Sequence, residues 1–370
     1  MKAVKICVVV ILMCLFLSFS ANAQGEYTEH YHQSGLSQVF EELPKEVKDF
    51  LDDKNLDCSD INWSDKLSGK SVLSGILGFF KDGLRGPAVA LCEIIGLLLI
   101  SAAVSAFSVQ SQIGEMLDFI MSVIIALVLI YNTYSVISIA VSAIKSAGVF
   151  MLSFVPIFGG IVLASGKTAT SVAMSSLLLG AAEVVVQLTS FVILPFMSAY
   201  LGVGISAGVS PLLKNSAIGQ TLKGVIMWVL GLVFTFFSGL LTVQTTVAAA
   251  SDGLALRTAR FMVTSFVPVA GGALGEAISV ITSAASALKS SAGMFAVVCL
   301  VLIMLPVLAQ LIIWRAVVGL ATLSAGVLAI PKAPEILKAV DSVFAVLIGI
   351  ILFVAALFII SLAVVAKAGG

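Results

Sequence analysis

From residue 87 onward the chain alternates long apolar blocks with short polar interruptions. Between Pro87 and Phe107 the only charge is Glu93, and between Phe119 and Ile144 there is none. A helix crossing the hydrocarbon core of a bilayer needs about 20 apolar residues. The pattern predicts eight such segments, at 87–108, 117–140, 147–165, 172–201, 221–247, 260–280, 293–314 and 340–366. Two of them, 147–165 and 260–280, contain a proline followed by a glycine pair: Pro156 with Gly159 and Gly160, and Pro268 with Gly271 and Gly272. Such segments favour broken or re-entrant helices, because proline withholds a backbone donor inside the membrane.

The first 86 residues follow a different pattern. Lys2 and Lys5 precede the apolar stretch Ile6 to Phe19 and then Ala21-Asn22-Ala23, the layout of a signal peptide cleaved after Ala23. That arrangement sends Gln24 onward out of the cytoplasm. Within 24–86, Leu36, Val39, Phe40 and Leu43, then Val47, Phe50 and Leu51, fall at helical spacings on either side of Pro44. A further apolar face, Val72 to Leu84, ends in Lys81 and Arg85 and fits a helix lying at the interface. So small an acidic region builds little core of its own and is expected to lean on the membrane or a partner.

The membrane part also repeats. Ser153-Phe154-Val155-Pro156-Ile157-Phe158-Gly159-Gly160 matches Ser265-Phe266-Val267-Pro268-Val269-Ala270-Gly271-Gly272 at six of eight positions. Matches continue in order through Leu194-Pro195 and Leu305-Pro306, Ala207-Gly208-Val209 and Ala325-Gly326-Val327, then Leu222-Lys223 and Leu337-Lys338. The predicted organisation is a signal peptide (1–23), an extracytoplasmic helical region (24–86), two transmembrane helices (87–142) and two repeat units (143–247 and 255–366). Three crossings per unit would make the repeats inverted, as in many transporters. Two crossings, with the Pro-Gly-Gly segments re-entrant, would make them parallel. Lysines and arginines near the segment ends do not choose between these.

Composition agrees with the pattern. Hydrophobic residues are 60% of the 370 positions and charged residues 11%, too few to cover a soluble domain. Net charge is zero, which gives no case for nucleic acid. The fold class is therefore all-α, a polytopic helical membrane bundle. Cys7 and Cys14 fall in the signal; Cys58 stands alone in the exported region, which denies it an internal disulfide, and Cys92 and Cys299 fit as small hydrophobes.

Candidate chemistry is sparse. Ser165-Gly166-Lys167-Thr168 has the ending of a phosphate-binding loop, but the required first glycine is replaced by Ile161 and no strand precedes it. Lys167 is better taken as a cation at a membrane edge. The only histidines, His30 and His32, supply two ligands at most and exclude His-based catalysis in the membrane. Asp118, Asp252 and Asp341 lie near segment ends, which argues against an intramembrane aspartyl protease. No enzyme, metal or cofactor is indicated. The pathway candidates are Glu183, mid-segment with Gln187 one turn on, and Glu93. A carboxylate in hydrocarbon costs about 2.5–3.5 kcal/mol and is expected to face a bundle interior, as a pathway lining or a packing hydrogen bond. Glu276 is weaker, because it follows Gly275 close to an expected break. Gly204 with Gly208, and Gly271 with Gly275, permit close helix approach. Arg315 beside Trp314 fits an interfacial anchor.

Taken together, the signal peptide, the exported Leu43-Pro44-Lys45-Glu46-Val47, the paired Ser-Phe-Val-Pro motifs and the run from Gly271-Gly272-Ala273-Leu274 through Lys289-Ser290-Ser291-Ala292-Gly293 to Pro306 resemble the stage III sporulation protein AE family of endospore-forming bacteria. The resemblance implies the polytopic subunit of a channel or feeding complex in the mother-cell membrane around the forespore. Its partners would be other membrane and ring-forming subunits, including a separate ATPase subunit, besides the lipid bilayer. Other roles left open by the residues are a stand-alone proton-coupled secondary transporter working through Glu183 and a purely structural scaffold.

Overall fold

The computed structural model describes residues 84–107, 112–209, 217–266, 271–328, 330 and 332–367, together with residues 43, 47–49 and 51. The signal peptide and most of the exported region lie outside the described residues, as do Pro268 and the side chains of 259–291.

Among the described residues the long elements are helices: α1 (Arg85–Phe107), α2 (Gln112–Ala164), α3 (Thr168–Leu188), a π-helical turn (Thr189–Ile193), α4 (Leu194–Val209), α5 (Ala217–Phe266), α6 (Gly271–Val327) and α7 (Ala333–Lys367). Six stretches among them are long and apolar enough to cross a membrane: Gly86–Ala106, Met116–Ala164, Thr168–Val209, Thr221–Ala255, Ala292–Val327 and Ala333–Ala363. Of the eight expected segments, 260–280 has its side chains and residues 267–270 outside the described residues, and two others are one helix. The pair 117–140 and 147–165 fuse into α2, because the polar residues between them, such as Ser142, Lys145 and Ser146, sit in an unbroken helix. Helices tolerate such residues readily, and nothing in that interval stops one.

The expected break at Pro156-Gly159-Gly160 is absent, since α2 runs through it. Aromatic packing lines the inner face of the helix along this stretch. Phe150, Phe154 and Phe158 stack at centroid distances of 5.7 and 5.3 Å and point into the core. Pro156 and Gly160, four apart, share the exposed face, where the proline ring displaces no neighbour. At Pro195 the outcome differs. Proline donates no hydrogen bond and crowds the carbonyl four residues back, and here the preceding turn widens, with the Leu194 N–H reaching the Thr189 carbonyl.

The two ends of the bundle are fixed by contacts. At one end, Ser105 donates to Asp118 Oδ1 at 2.6 Å, Lys332 lies 5.4 Å over the Phe119 ring, and Gly208 abuts Ile336. At the other, the α2–α3 hairpin meets Asp252 of α5. The six candidate spans therefore alternate in direction: α1, α3–α4 and α6 run away from the hairpin end, and α2, α5 and α7 run toward it. Parallel α5 and α7 meet through Phe234 and Phe353, 5.0 Å between centroids. One apolar core joins all of these helices, and it includes Leu43, Val47 and Leu51. Those three put part of the N-terminal region against the bundle rather than leaving it to membrane or partner alone.

Candidate functional site

The hairpin between α2 and α3 is built by Ser165-Gly166-Lys167. Gly166 sits at φ 78°, the left-handed conformation that ends helices after their last apolar residue. Its N–H returns to the Leu163 carbonyl at 2.9 Å, and the Ser165 hydroxyl donates to Val162 at 2.6 Å. Lys167 then takes the N-cap position of α3, where a side-chain oxygen would normally receive the first free N–H groups. Lysine has no acceptor to offer. The carboxylate of Asp252, 82 residues away from Thr170 in sequence, takes that place: Oδ1 accepts from Ala169 N at 2.9 Å and Oδ2 from Thr170 N at 2.7 Å. Asp252 is 3% exposed. Its charge lies at the positive end of the α3 dipole, which is the favourable end for an anion. Burial pushes the half-buried Lys167 amine below its ordinary value, and the Asp252 carboxylate partly opposes this.

Below the hairpin, α3 packs antiparallel on α2. The Ser171 hydroxyl donates to the Gly159 carbonyl at 2.7 Å, and a Cβ at Gly159 would collide with Ser175. Gly160 faces open space. Of the paired glycines, then, Gly159 carries the helix contact. Further along, a Cβ at Gly148 would meet Val186.

Glu183 and Gln187 are brought together, Nε2 donating to Oε1 at 2.7 Å, but both are exposed on the outer face of α3. The inward-facing position expected of this carboxylate is not what the single chain shows. Glu93 is also exposed, on α1. Gly271 and Gly272 open α6 as helical residues, and Glu276 follows in the same helix. Gly204 and Gly208 pack on α7 as expected: a Cβ on Gly204 would stand 3.0 Å from that of Ala339, and one on Gly208 would stand 3.0 Å from the Ile336 backbone nitrogen.

Arg315, expected as an interfacial anchor, is paired with Asp341. Its Nε and terminal nitrogen donate to the two carboxylate oxygens at 2.7 and 2.9 Å, tying α6 to α7. Beside it Trp314 is buried against Phe344, ring centroids 6.1 Å apart. Sequence reasoning missed both roles of aspartate. For Asp252 the available signal was a lysine where a helix start needed an acceptor. For Arg315 it was an acid, Asp341, spaced to meet it across a tight α6–α7 turn.

This arrangement can hold helices in register; among the described residues it assembles no metal-binding cluster of His, Cys, Asp or Glu. A bundle of six apolar, alternating helices among the described residues defines a multi-pass helical membrane protein. More narrowly, the chain belongs to the stage III sporulation protein AE family, whose profile matches residues 59–369. It is 26% identical over 266 residues to the stage III sporulation protein AE of Bacillus subtilis (strain 168), an alignment covering 70% of this chain and 65% of that relative. No solved structure matches the chain.

Proposed function

We propose that this protein is the membrane core subunit of a multi-subunit sporulation complex in the mother-cell membrane around the forespore, permease-like or export-apparatus-like in character. The observation that carries the proposal is family membership across residues 59–369 combined with six apolar helices in one packed bundle. In this role the signal peptide delivers the N-terminal region to the intermembrane space, and a separate ATPase subunit supplies energy. The matched order of Pro195 and Pro306 and of the helix ends at Val209 and Val327 supports descent of 143–247 and 255–366 from one duplicated unit. Because α3–α4 and α6 run in one direction and α5 and α7 in the other, the paired helices favour parallel repeats over inverted ones.

The stand-alone proton-coupled transporter is less well supported, since its coupling residue Glu183 is not enclosed by the chain. The test is deletion of the gene in an endospore-forming host with a forespore-specific late promoter fused to a reporter. Loss of late forespore expression, restored by the intact chain, is the expected result. Normal late expression and normal spore yield in the deletion strain would overturn the proposal.

A further inference from the structure

The bundle is taller than a bilayer. The apolar part of α2 is 49 residues, about 74 Å at 1.5 Å per residue. Tilted by about 40°, the upper end of the range for transmembrane helices, it still rises about 56 Å against a hydrocarbon core of about 30 Å. The other helices keep step with it. Counting up from Lys332, which lies over Phe119 at the foot of α2, the contact of Gly349 with Met227 stands at about 26 Å and Asp252, further along α5, at about 63 Å. Along α4 and α3, Gly208 meets Ile336 at about 6 Å, and Thr170 again falls at about 63 Å. Asp252 and Thr170 are bonded, so the two counts close.

Charge marks where lipid sits along this height. The Arg315–Asp341 pair stands at about 14 Å, and Glu93 of α1 and Lys223 of α5 at about 18–20 Å. The next charges up are half-buried Lys145 at about 39 Å and exposed Glu183, bonded to Gln187, at about 44 Å. Between those levels α2 to α7 carry no charged residue. Polarity in α5 changes at the same upper level: 224–237 holds one polar side chain, Thr235, whereas 238–252, which begins at about 42 Å, holds seven. A core of about 30 Å centred on the charge-free zone has its upper face at about 45 Å. Moving it down to enclose all of α1, whose foot is tied to Asp118 by Ser105, lowers that face to about 30 Å. Neither placement reaches the hairpin.

We infer that lipid extends no further than the level of Lys145 and Glu183, and that the α2–α3 hairpin and the α5 turns around Asp252 project about 20 Å beyond it into the aqueous phase. The placement gives the outward polar groups a suitable surrounding. Glu183 and Gln187 reach the headgroup level and lean toward the start of α3, away from the core. Exposed Thr168 and Arg257 meet water. The Asp252 cap on α3 then holds together an end of the bundle that the bilayer does not support. Because α1 starts toward the hairpin end, the projection stands on the same side of the membrane as the chain that precedes α1. The inference rests on the chain being a membrane protein and is independent of the sporulation role.

The experiment places a nitroxide on single cysteines of the full chain, its own cysteines replaced by serine, in phosphatidylcholine vesicles. A low ratio of protein to lipid keeps second copies apart. Val172 and Val247 stand at about 60 and 56 Å, and Tyr134 and Val225 at about 23 Å; all four are exposed. Power saturation compares collisions with oxygen, which concentrates in lipid, and with a water-soluble nickel chelate. The expected result is an inverted ratio: chelate exceeds oxygen at Val172 and Val247, and oxygen exceeds chelate at Tyr134 and Val225. Oxygen in excess at Val172 and Val247 would overturn the proposal. If either of those variants fails to accumulate, Leu254, 68% exposed at about 66 Å, takes its place with the same two outcomes.

Discussion

Asp252 holds the hairpin from a distance, and its removal has a calculable consequence. Asp252→Ala leaves the Ala169 and Thr170 N–H groups without their acceptor in a buried site, a loss of about 1–3 kcal/mol. Asp252→Asn keeps one acceptor oxygen and should fall between. Thermal unfolding of the detergent-purified protein measures both. Lys167 should behave oppositely. Burial holds its amine below the ordinary lysine value, so in that pH window the unfolded chain binds more protons than the folded one. Stability contributed at this site therefore rises as pH climbs toward the ordinary lysine range, and Lys167→Met should flatten the rise without lowering stability at neutral pH. A melting series against pH distinguishes these outcomes. The tetrapeptide Ser165–Thr168 stood out in the sequence, yet its meaning did not. A capping partner 82 residues away from Thr170 leaves no local pattern, whereas the glycine turn at 166 follows the usual rule for a helix end.

Helices show the limits of punctuation by proline and glycine. Pro156 lies on an outward face and leaves α2 intact, while Pro195 opens a π-helical turn. Both prolines are exposed, so neither residue type nor the face it occupies separates the two outcomes. Small residues were more legible, because Gly204 and Gly208 sit four apart where α4 meets α7. Gly208→Ala would force its Cβ to 3.0 Å from the Ile336 nitrogen and 3.2 Å from its Cα, backbone that cannot rotate away. We expect a loss of about 1–3 kcal/mol from overpacking. Gly202→Ala, with nothing within 4 Å, is the control and should be neutral or slightly stabilising. Comparing the two melting temperatures checks the helix contact rather than glycine as such.

On the scale of the whole molecule, composition and block length announced a helical membrane bundle, but the number of crossings depended on contacts between distant helices. Lys332 over Phe119 and Ile336 against Gly208 gather the starts of α2 and α7 and the end of α4 at one end of the bundle. Asp252 gathers the start of α3 at the other. Cations do not orient the bundle, since Lys167, Arg257 and Arg260 toward the hairpin end balance Lys223, Lys332 and Lys338 toward the other. The proposed export of the N-terminal region would orient the bundle instead, because α1 runs away from the side on which it starts. If that region is exported, six alternating crossings put residues 166 and 367 outside the cytoplasm and residue 332 inside it. Single cysteines at exposed Thr168 and at Lys332, in a chain whose own cysteines are replaced by serine, should react with an impermeant maleimide on opposite sides. Labelling of both from the same side would refute six crossings. Labelling on opposite sides with Lys332 outward would keep the bundle and refute the signal-peptide reading, because the alternation of helices does not depend on which end faces the cytoplasm.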